Sequence, residues 1–197
     1  MNNHLLNIFF FLAILNIKVN HFFVNGKVVT DAEMKKMGWS RYSLEDLNFC
    51  INKFEIDKTK ERFLSFISFL SYQSDLGRLC GEFFGDCSIY EGKKDLGNIQ
   101  SGDGCKFRPV GYFDLNGRNN YQKFSNLIGD ENVMKGYTYV SPKYPFSTAG
   151  FFWKTYNINS LIDNDPSPQR ICRKFAPNGV DCTSKVTKYY NKAKEIF

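Results

Sequence analysis

Closely spaced glycines in residues 90–121 constrain this fold more than any other feature of the chain. Each glycine costs about 1 kcal/mol in a helix interior, so this stretch is not expected to form a long helix. We predict an ordered, turn-rich loop with short extended pieces, the kind of segment that carries sites rather than core. The glycines are Gly92, Gly97, Gly102, Gly104, Gly111 and Gly117.

Apolar residues at helical spacing occur on both sides of this stretch. Segment 58–72 is the clearest helix, and its apolar arc is too wide for a surface helix, so we place it deep in the domain. We also predict a loop through Pro142 and Pro145 and a turn at 163–168. The other predicted helices are 30–39, 43–53, 120–128, 147–156, 170–175 and 184–197. The pattern predicts one mainly α-helical domain at 27–197.

The first 26 residues have the pattern of a secretory signal peptide. Their apolar run, at 5–17, is too short to span a bilayer. Val24 and Gly26 are small residues at the two positions that a signal peptidase reads, which favours cleavage before Lys27. The alternative is a buried N-terminal helix. We predict a secreted, extracellular domain with no membrane anchor once the signal is removed.

The six cysteines predict a disulfide framework, because an even count is typical of exported domains. They are Cys50, Cys80, Cys87, Cys105, Cys172 and Cys182. We expect three disulfides, with Cys80–Cys87 and Cys172–Cys182 as the first pairs to test, since each closes a short loop. No C-x-x-C pair occurs, which argues against a zinc ribbon or a thioredoxin-type redox site.

Histidine supplies a further exclusion. The chain has only His4 and His21, and both lie in the predicted signal. The secreted domain would then lack Ser-His-Asp and Cys-His nucleophile systems and any histidine-ligated metal site, which leaves carboxylates for acid–base chemistry. We expect no cofactor and no metal.

The charge distribution gives no sign of a nucleic-acid partner. The net charge of +6 comes from scattered lysines, without the basic and aromatic runs of a nucleic-acid module. We expect the domain to be a monomer.

The glycine-rich stretch resembles glycoside hydrolase family 19, the chitinases and the related phage and bacterial endolysins. The family segment Y-E-G-R-x-D-L-G-N-x-Q-x-G-D-G is followed by F-R-G-R-G-x-I-Q-x-T-G-R-x-N-Y. The matching positions are Tyr90, Glu91, Gly92, Lys93, Asp95, Leu96, Gly97, Asn98, Gln100, Gly102, Asp103, Gly104, Phe107, Arg108, Gly111, Gly117, Arg118, Asn120 and Tyr121. The resemblance extends from about Phe63 to the C-terminus. It implies a lysozyme-like helical fold and ligands that are β-1,4-linked N-acetylglucosamine polymers, chitin or peptidoglycan.

The resemblance also implies a pair of catalytic carboxyl groups, of which one is missing. In inverting hydrolysis one carboxyl protonates the leaving oxygen, while a second, about 6.5–9.5 Å away, activates water. The family motif H-E-S/T-G falls on Tyr72 to Asp75, so the acid becomes Gln73, and the second glutamate becomes Glu82. A glutamine amide has no titratable proton near neutral pH, so Gln73 cannot act as a general acid.

Other site residues carried over from the family are partly altered. Substrate-binding positions fall on Tyr72, Arg108, Asp114, Asn116, Asn120 and Tyr121. Of these, Asp114 replaces a glutamine and Asn116 a threonine. Glu82 is either a retained base or a solvent-exposed acid. Glu91 either orients water or a loop, or is a structural partner for Arg108 or Lys93.

Three functional hypotheses follow. The first is a chitinase-like protein that engages these polymers with hydrolysis lost or reduced, because the acid position is Gln73. The second is an active chitinase- or endolysin-type hydrolase that uses Glu82 and Glu91. The third is a non-catalytic structural or interaction protein that keeps only the scaffold.

Overall fold

The computed structural model describes residues 28–81, 85–176 and 181–197. The predicted signal at 1–26 and Glu82 lie outside these ranges. The α-helices are α1 (Asp31–Met37), α2 (Leu44–Lys53), α3 (Lys60–Gln73), α4 (Asp103–Lys106), α5 (Arg118–Ile128), α6 (Tyr137–Lys143), α7 (Pro145–Thr155), α8 (Ile158–Asn164), α9 (Pro168–Phe175) and α10 (Cys182–Ile196). Short 3-10 helices occur at Ile56–Lys58, Cys87–Tyr90, Lys94–Leu96 and Glu131–Lys135. None of the described helices is long and apolar enough to cross a membrane.

The prediction of a mainly helical domain is confirmed, and each of the seven predicted helices has a counterpart among those described. Two connections were predicted wrongly. The loop through Pro142 is helix α6, in which Pro142 is the sixth of seven residues and costs one i→i−4 hydrogen bond. The turn predicted at 163–168 begins later than expected, because α8 continues to Asn164.

Helix α3 forms the centre of the core, as its apolar pattern predicted. Every residue from Phe63 to Ser71 is buried. The helix packs most extensively against α10 and also contacts α8 and α9. Phe66 meets the Trp153 ring edge-to-face at 5.1 Å between centroids. Burial of each such aromatic or aliphatic side chain contributes about 1.5–3 kcal/mol, so α3 positions the elements around it.

The glycine-rich stretch is ordered and turn-rich, as predicted. It contains the 3-10 helix Lys94–Leu96, the four-residue α4 and an antiparallel bridge between Val110 and Leu115. No β-strand occurs in the described part of the chain. At Gly104, a Cβ would lie 2.5 Å from the backbone nitrogen of Glu91, so only glycine allows this close approach.

The disulfide prediction is half right. Cys172–Cys182 is confirmed, but Cys87 is bonded to Cys105 rather than to Cys80. The tertiary fold decides this, because the Cys87–Tyr90 helix packs against α4, which carries Cys105. Cys80 and Cys50 are free, so the expected third disulfide is wrong. Each free thiol lies against a backbone carbonyl, Cys80 at 4.0 Å from Ser141 O and Cys50 at 3.2 Å from Phe146 O.

Candidate functional site

Gln73 is the last residue of α3, and its side chain is half-buried. The helix ends because Ser74 caps it: the Ser74 hydroxyl donates to Leu70 O at 2.7 Å and accepts from Gly77 N at 2.9 Å. Asp75 and Leu76 then take left-handed backbone conformations, with φ of 48° and 58°. The chain thus turns sharply after Gln73, which leaves its amide at the margin of the core.

Aromatic packing brings the end of α3 beside the Val110–Leu115 turn. Tyr72 is half-buried against Phe69, with ring centroids 6.4 Å apart. Phe69, one helical turn before Gln73, also packs against Phe113 at 5.7 Å. Phe113 precedes Asp114 in the turn, so the positions carried over from the family at 72–73 and at 114 lie in neighbouring parts of the molecule.

The segment after the turn is tied to the start of α5. Asn120 Nδ2 donates to the backbone carbonyl of Asn116 at 2.9 Å, and both side chains are half-buried. Asp114 is exposed and has a positive φ of 49°, a conformation that aspartate tolerates better than most residues. The predicted binding positions Asp114, Asn116 and Asn120 thus lie in one short stretch, and a hydrogen bond joins the last two.

Two of the predicted binding residues carry buried polar atoms without a hydrogen-bond partner among the described residues. These atoms are Arg108 Nε, a donor, and Asn116 Oδ1, an acceptor. The Arg108 guanidinium lies over the Tyr137 ring, with its central carbon 3.7 Å from the ring centroid, so its position is fixed. Unpartnered buried polar atoms are rare in native proteins, and a ligand is one explanation for them.

Tyr121 has a structural position rather than an exposed one. It is fully buried, and its hydroxyl donates to Arg108 O at 2.8 Å. Burial raises the pKa of this hydroxyl far above its ordinary value. Tyr121 therefore supports the backbone that carries Arg108, and its role as a binding residue stays a prediction.

Glu91 binds backbone amides within the glycine-rich loop. Its two carboxylate oxygens accept from Gly102 N and Gly104 N, each at 2.7 Å. Neither Arg108 nor Lys93 is its partner in these hydrogen bonds. The interpretation of Glu91 as a residue that orients a loop is the one this geometry favours.

We expect Glu91→Ala to loosen this loop without unfolding the domain, because Cys87–Cys105 still closes it. Hydrogen exchange at the amides of Gly102 and Gly104 should become about tenfold faster, since each loses a charge-assisted hydrogen bond. Two-dimensional NMR would measure the rates, with Glu131→Ala as the matched control on an exposed glutamate elsewhere. Unchanged exchange at both glycines would contradict the assigned role.

An ion pair joins Asp103 of α4 to Arg118 of α5, and the sequence predicted no role for it. Arg118 donates to both carboxylate oxygens of Asp103, at 2.5 and 2.8 Å, and to Gln100 Oε1 at 2.8 Å. The hydrogen bonds from Arg118 hold the pKa of Asp103 below its ordinary value. Asn98 accepts from the Arg118 backbone N–H at 2.9 Å. All four residues match the family motif, which was the available signal for their role.

Glu82, the predicted second carboxylate, lies outside the described residues. The chain just before it runs close against the Val110 turn: a Cβ on Gly81 would lie 2.6 Å from Pro109 O. A cavity of about 650 Å³ lies alongside, lined by residues that include Arg41, Cys80 and Tyr112. Neither Gln73 nor Asn116 is among the described lining residues, so this cavity adjoins the predicted site without containing it.

Comparisons with known proteins place the fold. No family model and no curated protein matches the chain. Among solved structures it is similar to chitinase C from Streptomyces griseus HUT6037, with a TM-score of 0.54 and 13% identity over 87% of this chain and 95% of that one. A Glu-to-Gln mutant of chitinase C gives a TM-score of 0.54 at 14% identity, over 86% of this chain and 94% of that one. Identity this low shows the fold alone: the chain has a chitinase-like helical fold.

Proposed function

We propose that this chain is a secreted chitinase-like protein that binds β-1,4-linked N-acetylglucosamine polymers, chitin or peptidoglycan, with hydrolysis lost or much reduced. The observation that carries the proposal is Gln73, a half-buried amide that ends the central helix of a chitinase-like fold. Its amide can hold a sugar oxygen by a hydrogen bond but cannot protonate it. General acid–base help is worth about 10²–10⁴ in rate, and that help is what the amide lacks.

Retained binding is supported by Arg108 and Asn116, two half-buried residues at predicted binding positions that each carry an unpartnered polar atom. A buried polar group without a partner costs about 1–3 kcal/mol, and a ligand that pairs with it recovers part of this cost. Sugar hydroxyl and acetamido groups offer both a donor and an acceptor, which are the two kinds of partner that these atoms need.

The alternative of an active hydrolase that uses Glu82 and Glu91 has less support. Both oxygens of Glu91 accept hydrogen bonds from backbone amides of the loop, so this carboxylate already has a structural role in the described chain. The two disulfides are compatible with an extracellular setting, where such bonds persist.

Binding to N-acetylglucosamine hexamer, measured by calorimetry, tests the proposal, with pull-down on chitin and on peptidoglycan to separate the polymers. We expect Asn116→Ala to weaken hexamer binding by about tenfold, the loss of one hydrogen bond to a ligand. Asn126→Ala, on an exposed asparagine of α5, is the matched control and should bind as the wild type does.

Absence of binding to the hexamer and to both polymers would overturn the proposal and favour the structural or interaction hypothesis. Wild-type turnover of the hexamer that depends on Glu82 would instead favour the active hydrolase.

A further inference from the structure

The two disulfides differ in their access to solvent. Cys105 is exposed and Cys87 is half-buried, so the bond between them is open to solvent on the Cys105 side. Cys172 and Cys182 are only 3% and 1% exposed, and both belong to the buried core. Because thiol–disulfide exchange depends on access to sulfur, a reductant in solution should reach the first disulfide far more easily than the second.

The charges beside the exposed disulfide favour attack on Cys105. Lys106 follows Cys105 and is exposed, so it attracts an incoming thiolate. Asp86 precedes Cys87 and accepts hydrogen bonds from the Ser88 hydroxyl at 2.7 Å and from Ser88 N at 2.9 Å. These hydrogen bonds hold the pKa of Asp86 below its ordinary value, so its charged carboxylate repels a thiolate on the Cys87 side.

The loop that this disulfide closes has no anchor in the hydrophobic core. Within the described segment 88–104, no apolar side chain belongs to the buried core, and Ile89 and Ile99 are 57% and 72% exposed. Polar contacts hold the segment instead. They include Glu91 on two backbone amides and a hydrogen bond from Asn98 Nδ2 to a backbone carbonyl at 2.9 Å. Segments with few buried apolar contacts open most readily, so we expect the local stability of this loop to depend on its disulfide.

The same loop holds the first residue of α5. Asn98 Oδ1 accepts from the backbone N–H of Arg118 at 2.9 Å. Gln100 and Asp103 accept from the guanidinium of the same residue, and the Asp103 side chain is only 2% exposed. Two residues further along α5 is Asn120, a predicted binding position. Loosening of the loop should therefore reach the start of α5 and the candidate site.

We propose that Cys87–Cys105 is a redox-sensitive switch: an external dithiol reduces this bond selectively, and reduction loosens the contacts between the loop and α5. One thiolate of the dithiol attacks the Cys105 sulfur, the S–S bond breaks, and its electron pair leaves with the Cys87 sulfur, which takes up a proton from water. The second thiolate of the dithiol then attacks the mixed disulfide and releases Cys105 as a thiol. The dithiol becomes a cyclic disulfide, and the protein gains two electrons and two protons. The effect on polymer binding rests on the proposed function, whereas the reducible loop does not.

Limited treatment of the folded protein with dithiothreitol, followed by alkylation and peptide mass spectrometry, tests the selectivity. We expect Cys87 and Cys105 to become open to alkylation about tenfold faster than Cys172 and Cys182, or faster still. Equal rates for the two disulfides, or faster reduction of Cys172–Cys182, would overturn the proposal.

Three variants test the direction of attack. Lys106→Gln should slow the reduction of Cys87–Cys105 by about twofold, because it removes an exposed positive charge beside the attacked sulfur. Lys123→Gln makes the same change on the exposed face of α5 and should leave the rate unchanged. Cys80→Ser should also leave it unchanged. A lower rate in the Cys80 variant would overturn direct attack by the external dithiol, because it would show that the free Cys80 thiol takes part.

Hydrogen exchange measures what reduction does to the loop. The Arg118 amide is a direct reporter, because its acceptor is the Asn98 side chain of the loop. In protein reduced and alkylated at Cys87 and Cys105, we expect this amide to exchange about tenfold faster, with Ile67 of the central helix unchanged. The double change Cys87→Ser with Cys105→Ser should have the same effect. Unchanged exchange at Arg118 after selective reduction would overturn the switch.

Failure of the switch can be distinguished from failure of the proposed function. Where the oxidised protein binds the N-acetylglucosamine hexamer, reduction should raise the Kd by about tenfold. An unchanged Kd, together with faster exchange at Arg118, would reject the link between this loop and the candidate site. Selective reduction and faster exchange in a protein that binds no hexamer in either form would reject the proposed function alone.

Discussion

Gln73→Glu is expected to raise the hydrolysis of chitin oligomers or peptidoglycan above the wild-type rate. The substitution puts a titratable carboxyl at the C-terminal end of α3, where Gln73 is half-buried. Partial burial and the negative end of the helix dipole should both raise the pKa of the introduced carboxyl towards the range that a general acid needs. The gain should be less than the full 10²–10⁴ of acid–base assistance, because Asp114 and Asn116 also depart from the family pattern.

Turnover of soluble N-acetylglucosamine oligomers, followed by reducing-end release, measures this effect. The double change Gln73→Glu with Glu82→Gln should return activity to background if Glu82 is the base. Gln122→Glu makes the same chemical change on the exposed face of α5 and should have no effect. Wild-type turnover that requires Glu82 and is unchanged by Gln73→Glu would contradict the assignment of Gln73 to the acid position.

Asp46→Ala is expected to cause a large loss of stability. Asp46 lies on α2 and is 4% exposed, yet it caps a different helix. Its Oδ2 accepts from Phe146 N at 2.6 Å and Ser147 N at 3.1 Å, and Oδ1 accepts from the Ser147 hydroxyl. No side chain at the N-cap position of α7 caps that helix. Removing Asp46 leaves buried donors unpaired, so we expect a loss of roughly 2–4 kcal/mol and a drop in Tm of about 5–15 °C.

The stability contributed by Asp46 should also depend on pH. Burial raises the pKa of Asp46 to about 7, although the hydrogen bonds from Ser147 and Phe146 act to lower it. The pKa of Asp46 is higher in the folded protein than its ordinary value of 3.8. The stabilisation that Asp46 provides is therefore fully present below pH 3.8 and is lost as the pH rises through about 7.

Asp46→Asn separates this effect from other titrations, because its amide resembles the protonated carboxyl and does not titrate. In thermal unfolding, we expect the Tm of the Asn variant to be close to that of the wild type at pH 5. By pH 8 the Tm of the variant should have risen relative to that of the wild type. A wild type that becomes more stable relative to this variant between pH 5 and pH 8 would contradict the expected direction.

The sequence by itself determined the helical frame and the place where it is interrupted. Helix α3 was predictable because an unbroken apolar arc from Phe63 to Leu70 is stable only inside a core. The turn-rich nature of residues 90–121 was predictable because glycine disfavours helix locally, whatever packs around it. The position of Gln73 at the end of α3 was also close to the predicted end of that helix at residue 72.

Tertiary structure decided which side chains bond to each other, because the bonded residues lie far apart in the chain. Cys87 is bonded to Cys105 and not to the nearer Cys80, since packing of two short helices outweighs closeness in sequence. Asp46 lies among the residues of an amphipathic helix, and only the approach of α7, one hundred residues later, makes its carboxylate a cap. Trp153 follows the same rule: local sequence predicts that its side chain is buried, whereas the whole fold decides that its Nε1 has no partner among the described residues.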